Sequence, residues 1–206
     1  MVLKVILRVM KENRKEYVAL NFLYYGLVAV SMIYVSFHPE IQEALLGEVT
    51  VEFPTLFPSV VEAYRSGNFP LAAALTFSIN LVLGSFVYIT LPSLIIPFSG
   101  VATGAIRAVA WGLLLAPTSP ELTRAMIPHS LTLILEGQGY VLAMFAAYVH
   151  WKGVFRPRSI GEEKRTRAYV AGIKKTAHTY LLIALVLAVS AIYEAFEVIY
   201  LLGTTS

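Results

Sequence analysis

Five side chains in a strongly apolar chain carry groups able to do chemistry: Asn80, Arg107, His129, Glu136 and Glu194. His129 and Glu136 stand seven residues apart in "IPHSLTLILEGQGYVLA", a stretch oily enough for lipid. On a helix, at about 100° per residue, the two project almost the same way, with Thr132, Gly139, Tyr140 and Ala143 near them. Leu131, Ile134, Leu135, Leu142 and Phe145 fall on the opposite side, which is expected to meet lipid. Ionisable groups at membrane depth normally pair or line a wet cavity. An unpaired Arg there costs roughly 2.5–3.5 kcal/mol on insertion scales, so Arg107 needs a counter-charge, and Glu136 is the one expected.

Glu194 and Glu197 share a face of the last apolar segment with Ser190. Glu194 is expected deep, and Glu197 near the interface and solvated. Asn80, within "TFSIN", is expected to hydrogen-bond across helices. The five residues together suit a proton or cation site. His and Glu also ligate metals, so a metal is left open. No HExxH spacing, phosphate loop, GxGxxG fingerprint or GxSxG elbow is present, which leaves the familiar hydrolase and nucleotide chemistries without support. No cofactor is expected.

The elements that must position these groups follow from composition. Hydrophobic residues make up 57% of the 206-residue chain and charged ones 14%, against about 25% charged in an ordinary soluble domain. Cysteine is absent, which excludes disulfides and thiolate metal sites. The expectation is an all-α, multi-pass protein of the cell membrane, a single domain of about five transmembrane helices near residues 17–37, 69–90, 98–116, 128–151 and 177–202. The first is read as a retained signal anchor. Basic residues cluster in 1–16 (Lys4, Arg8, Lys11, Arg14, Lys15) and in 152–176 (Lys152, Arg156, Arg158, Lys164, Arg165, Arg167, Lys174, Lys175). Both belong in the cytoplasm by the positive-inside rule, so the N-terminus is expected inside and the C-terminus outside. Trp151 beside Lys152 suits an interfacial anchor.

Between the first two spans, "HPEIQEALLGE" reads as a short helix opened by Pro39 and stopped by Gly47. "SVVEAYRSG" carries the Ser59…Glu62 capping spacing. Both are expected as amphipathic helices on the outer surface. Gly100, Gly104, Ala108 and Gly112 recur every four residues, a small-residue stripe for close packing against another helix or a second copy. The basic 152–176 loop could attract anionic lipid headgroups. The lipid bilayer and a membrane-protein partner, or self-association, are the partners expected; nucleic acid is not.

In "FSINLVLGSFV", "FSGVATGAIRA", "IPHSLTLILEG" and the final apolar helix, taken in that order, the chain resembles the stage II sporulation protein M-like family of membrane proteins. Asn80, His129 and Glu136 match the family's Asn-bearing segment and its Pro-His-Gly…Glu stretch. Ser130 stands where the family typically has Gly, and Ser99 where Asn is common. The resemblance implies a membrane scaffold in a cell-envelope complex and no enzyme activity. The expected function is therefore a non-enzymatic scaffold. The alternative is a small transporter or channel-like protein that moves an ion or proton past the Glu, His and Arg cluster.

Overall fold

Long apolar runs in lipid must satisfy their own backbone N–H and C=O groups, and a helix does this within one segment. The structure, a computed structural model, describes residues 2–203, with side chains from Val5 onward; Lys4 lies outside that set. Among the described residues there is no strand. The helices are α1 (Val2–Glu12), α2 (Arg14–Ser36), α3 (Pro39–Leu56), α4 (Pro58–Arg65), α5 (Phe69–Ile95), α6 (Ser99–Leu115), α7 (Pro120–Phe155) and α8 (Arg165–Leu202). Two segments widen to π-helix: Ile79–Thr90 within α5 and Glu197–Leu202 at the end of α8. The protein is an all-α bundle. Four helices (α2, α5, α7 and α8) are long and apolar enough to cross a membrane, and the bent pair α3–α4 would make a fifth. Helix α6 is apolar but has 17 residues, about 25 Å at 1.5 Å per residue, slightly under the hydrocarbon thickness.

Helix α7 is the hub. Its most apolar window is 67% buried, against 28–33% for the other three long helices. It packs on α8 most extensively, and also on α6, α5 and α2. Leu142 and Phe145, expected to face lipid, are 3% and 1% exposed. Leu131 and Ile134, about two to four turns earlier, are exposed. The physical reason is that lipid and protein core are equally apolar, so a hydrophobic face does not reveal which of them it meets.

The small-residue stripe is used inside this one chain. Gly100, Gly104, Ala108 and Gly112 are all buried. A Cβ on Gly104 would strike the Met144 side chain at 2.5 Å, and one on Gly112 would strike the Ser31 Cβ at 2.6 Å. Helix α6 thus lies against α7 and α2 at a distance that only small residues allow.

Polar contacts tie the two ends of the bundle. At one end Lys152 Nζ donates to Asn13 Oδ1 at 2.8 Å and pairs with Glu16, so the start of α2 meets the end of α7. Tyr169 OH donates to the Leu94 carbonyl at 2.7 Å, and Trp151 Nε1 to that of Ser93, which brings the end of α5 to the same place. At the other end the buried Gln42 donates from Nε2 to the Leu114 and Ala116 carbonyls, each at 2.9 Å. It thereby caps the Leu114 carbonyl in the last turn of α6 and adds to the Thr118 N–H already on the Ala116 carbonyl.

The segment joining α2 to α5 differs from the expected pair of short surface helices. Helix α3 continues through Gly47 and Pro54 to Leu56. It stops at Phe57, which adopts φ −132°, ψ 56°, and α4 leaves at 96° to it. Phe57 precedes Pro58, and the proline ring excludes the α region for the residue before it. Pro58 opens α4 with no cap from Ser59 or Glu62; the boundary is made by the proline and not by the capping box.

Overpacking at the α6–α2 crossing should cost about 1–3 kcal/mol. Gly112→Val is expected to lower the stability of the purified protein in denaturant titrations from mild detergent by that order. Gly26→Ala, where a Cβ meets nothing within 4 Å, should leave it unchanged. Equal stabilities for the two variants would contradict the packing described.

Candidate functional site

Helices α6 and α7 bring an ion pair to the middle of the bundle. Glu136 and Tyr140 sit one turn apart on α7 and so share a face. Tyr140 OH donates to Glu136 Oε1 at 2.5 Å. Arg107, from α6, donates through Nη2 to Tyr140 OH at 2.6 Å and to Glu136 Oε1 at 3.3 Å. Its guanidinium lies 4.1 Å from the Tyr140 ring centroid and 5.4 Å from that of Trp111. The tyrosine is fully buried and Glu136 nearly so, while the Arg107 side chain is 21% exposed. Charge-assisted hydrogen bonds at Nη2 and a ring face answer much of the guanidinium, whose Nε is buried without a hydrogen-bond partner. Gly84, in the π-helical part of α5, makes the room: a Cβ there would sit 2.9 Å from Tyr140 OH and 3.3 Å from Arg107 Nη2.

The pair forms part of the lining of a cavity of about 610 Å³. Asn80, Ile79 and Leu83 line it from α5, and Glu194 and Val198 from α8. Phe53 near the end of α3 and Phe57 at the α3–α4 bend, with Val60, Val61 and Tyr64 of α4, form an apolar roof. Gln42 anchors the start of that roof. Tyr64 OH and Thr76 Oγ1, 2.8 Å apart, join α4 to α5. Leu83 and Tyr88 are exposed at the edge between α5 and α6. A second hollow of about 230 Å³ shares Tyr88, Arg107 and Trp111 with the first, so this seam opens toward the bundle's outside.

Towards the end of α8 a second polar group closes. His129 Nδ1 and Glu197 Oε1 are 2.7 Å apart, and Thr132 Oγ1 donates to Glu197 Oε2 at 2.6 Å. Glu197 is fully buried, not solvated as its expected place near the interface suggested. His129 and Thr132, three residues apart on α7, both reach it.

The five residues singled out from the sequence thus divide. Arg107 and Glu136 touch, Asn80 and Glu194 line the same cavity, and His129 turns away from Glu136 to Glu197. Asn80 is buried but makes no side-chain hydrogen bond among the described residues, contrary to the interhelical bond expected of it. One carboxylate oxygen of Glu194 is buried with no hydrogen-bond partner. Sequence reasoning missed Tyr140 as a partner, although it was on the right face one turn from Glu136. It also missed Gln138, which accepts from Tyr17 OH at 2.7 Å and donates to Asn21 Oδ1 at 2.6 Å and Tyr25 OH at 3.0 Å, clasping α7 to α2. Among the described residues no three ligating side chains gather to hold a metal.

Comparison with protein-family models, with curated proteins and with solved structures finds no match to this chain.

Removing one member of a buried pair leaves the other charge uncompensated, at a cost of roughly 3 kcal/mol or more. Arg107→Met is therefore expected to destabilise the protein strongly, and Arg107→Met with Glu136→Gln to recover most of the loss. A double-mutant cycle in mild detergent reads this. Strictly additive losses would show that the pair is not coupled.

Proposed function

We propose that the chain is a membrane-embedded carrier of the cell membrane that takes a small, mainly apolar organic molecule into the cavity beneath α3–α4. The observation that carries this reading is the cavity itself. It holds about 610 Å³, within the range of roughly 300–1,000 Å³ typical of small-molecule sites, and combines apolar walls with a few convergent polar groups. The α5–α6 seam supplies a route from the bilayer, since its exposed residues Leu83 and Tyr88 also line the cavity. Arg107, Glu136 and Tyr140 would fix the orientation of the bound molecule, because their geometry is already set by one another.

A scaffold needs a docking face. The small-residue stripe, one of three faces that could serve beside the α3–α4 segment and the basic 152–176 segment, is occupied by α2, α5 and α7 of the same chain. That supports the carrier over the scaffold implied by the family resemblance.

Native mass spectrometry from mild detergent is expected to show the wild-type protein with a retained organic molecule, on the order of a few hundred daltons for a cavity of this class. Val61→Trp, which adds bulk to the roof, should lose it with melting behaviour kept. A wild-type protein that never carries a molecule the variant lacks, in any membrane extract, would defeat the reading.

A further inference from the structure

The charged groups around the cavity are not all paired. Arg107 is answered by Glu136 and Tyr140, and Glu197 by His129 and Thr132. Glu194 is left over. It lines the cavity one turn before Glu197 on α8, and its buried oxygen meets no donor among the described residues. Arg65 is the remaining cation in the lining, and it is exposed on α4.

A buried acceptor without a partner is costly, and such groups in a site point to a donor supplied from outside. The ligand's chemistry follows from what each alternative would meet. An anionic head would find one unpaired buried donor, Arg107 Nε, but would face Glu194 and Glu136, with Arg107 Nη2 already held by both Glu136 and Tyr140. A bare divalent ion would find no third ligand and mostly apolar walls. A neutral apolar molecule would fill the space under Phe53, Phe57 and Val61 and leave the Glu194 carboxylate as it is. A protonated amine on an apolar chain satisfies both halves of the cavity, since an ammonium brings three donors and a charge opposite to the carboxylate.

Resting on the reading of this cavity as a small-molecule site, we propose that its occupant is an alkylammonium amphiphile, with the ammonium paired to Glu194 and the chain lying against Phe53, Phe57 and Val61. Val60 and Leu83 complete the apolar wall. The ammonium belongs either to a single-chain amine or to the ethanolamine headgroup of a lipid.

The test uses the full chain in phosphatidylcholine nanodiscs, with radiolabelled decylammonium as probe and decanol and decanoate as tail-matched competitors; empty discs give the background. The protein is expected to hold decylammonium at least tenfold more tightly than decanol, and decanoate more weakly still. Glu194→Gln should bring decylammonium down to the affinity of decanol, and Glu194→Asp should keep the preference. The wild-type ranking stands as a test even where a variant does not fold. Equal binding of decanol and decylammonium, or an unchanged preference in Glu194→Gln, overturns the ammonium assignment and leaves the small-molecule cavity standing. Saturable binding of none of the three, alongside no retained molecule in mass spectrometry, overturns both. Discs containing phosphatidylethanolamine separate the two sources: loss of decylammonium binding there identifies the headgroup, and unchanged binding the single-chain amine.

Discussion

A guanidinium in the middle of an apolar helix has to be neutralised where it stands, because no bulk water is there to solvate it. Arg107 meets that requirement through Glu136, the Tyr140 hydroxyl and the Tyr140 ring, and the surrounding architecture follows from holding these three together. Helix α7 must run through the centre to offer both acceptors one turn apart. Helix α6 must come close enough to reach them, which its small residues allow. Helix α5 must present no side chain at Gly84. The π-helical widening of α5 falls on this stretch, Ile79–Thr90, and such segments are found often at functional sites.

The same arrangement explains why a hollow persists beside the pair. Arg107 is drawn towards α7, and on its other side α5, α8 and the roof of α3–α4 enclose space without filling it. The roof keeps its shape through two prolines. Pro54 weakens the end of α3 by removing a backbone donor, and Pro58 forces Phe57 out of the helical region, so the chain turns by 96° and lays two phenylalanines over the opening. Gln42 and Tyr64 fasten the two ends of this strap to α6 and α5.

Much of this was legible in the residues. Apolar runs of spanning length place the long helices, and the cost of a lone arginine in lipid points from Arg107 to Glu136. What stayed hidden has identifiable causes. Hydrophobic periodicity gives Leu142 and Phe145 an apolar face but cannot tell a neighbouring helix from a lipid tail. Nearness to the outer interface suggested water for Glu197, whereas His129 and Thr132 reach across from α7 to it and it is buried. Gly47 resembles a helix stop but can sit inside a helix at modest cost, so α3 runs twice as far as its punctuation suggested. The cavity itself has no sequence signature, because its walls come from α3, α4, α5, α6, α7 and α8 at once.

The central position of α7 also bears on how the chain is assembled. Its best window has a mean hydropathy of 1.3, the lowest of the four long helices, against 1.8 for α2 and α5 and 2.1 for α8. A segment that carries Glu136 and Gln138 gains least from lipid alone. In a chain made from its N-terminus, α2, α5 and α6 are already in place when α7 emerges, and they offer Arg107, Tyr17 and Asn21 to its polar groups. Helix α8, the most hydrophobic, arrives last. Until it does, His129 and Thr132 lack Glu197, and the carboxylates that finish the interior are delivered by the helix that seals it.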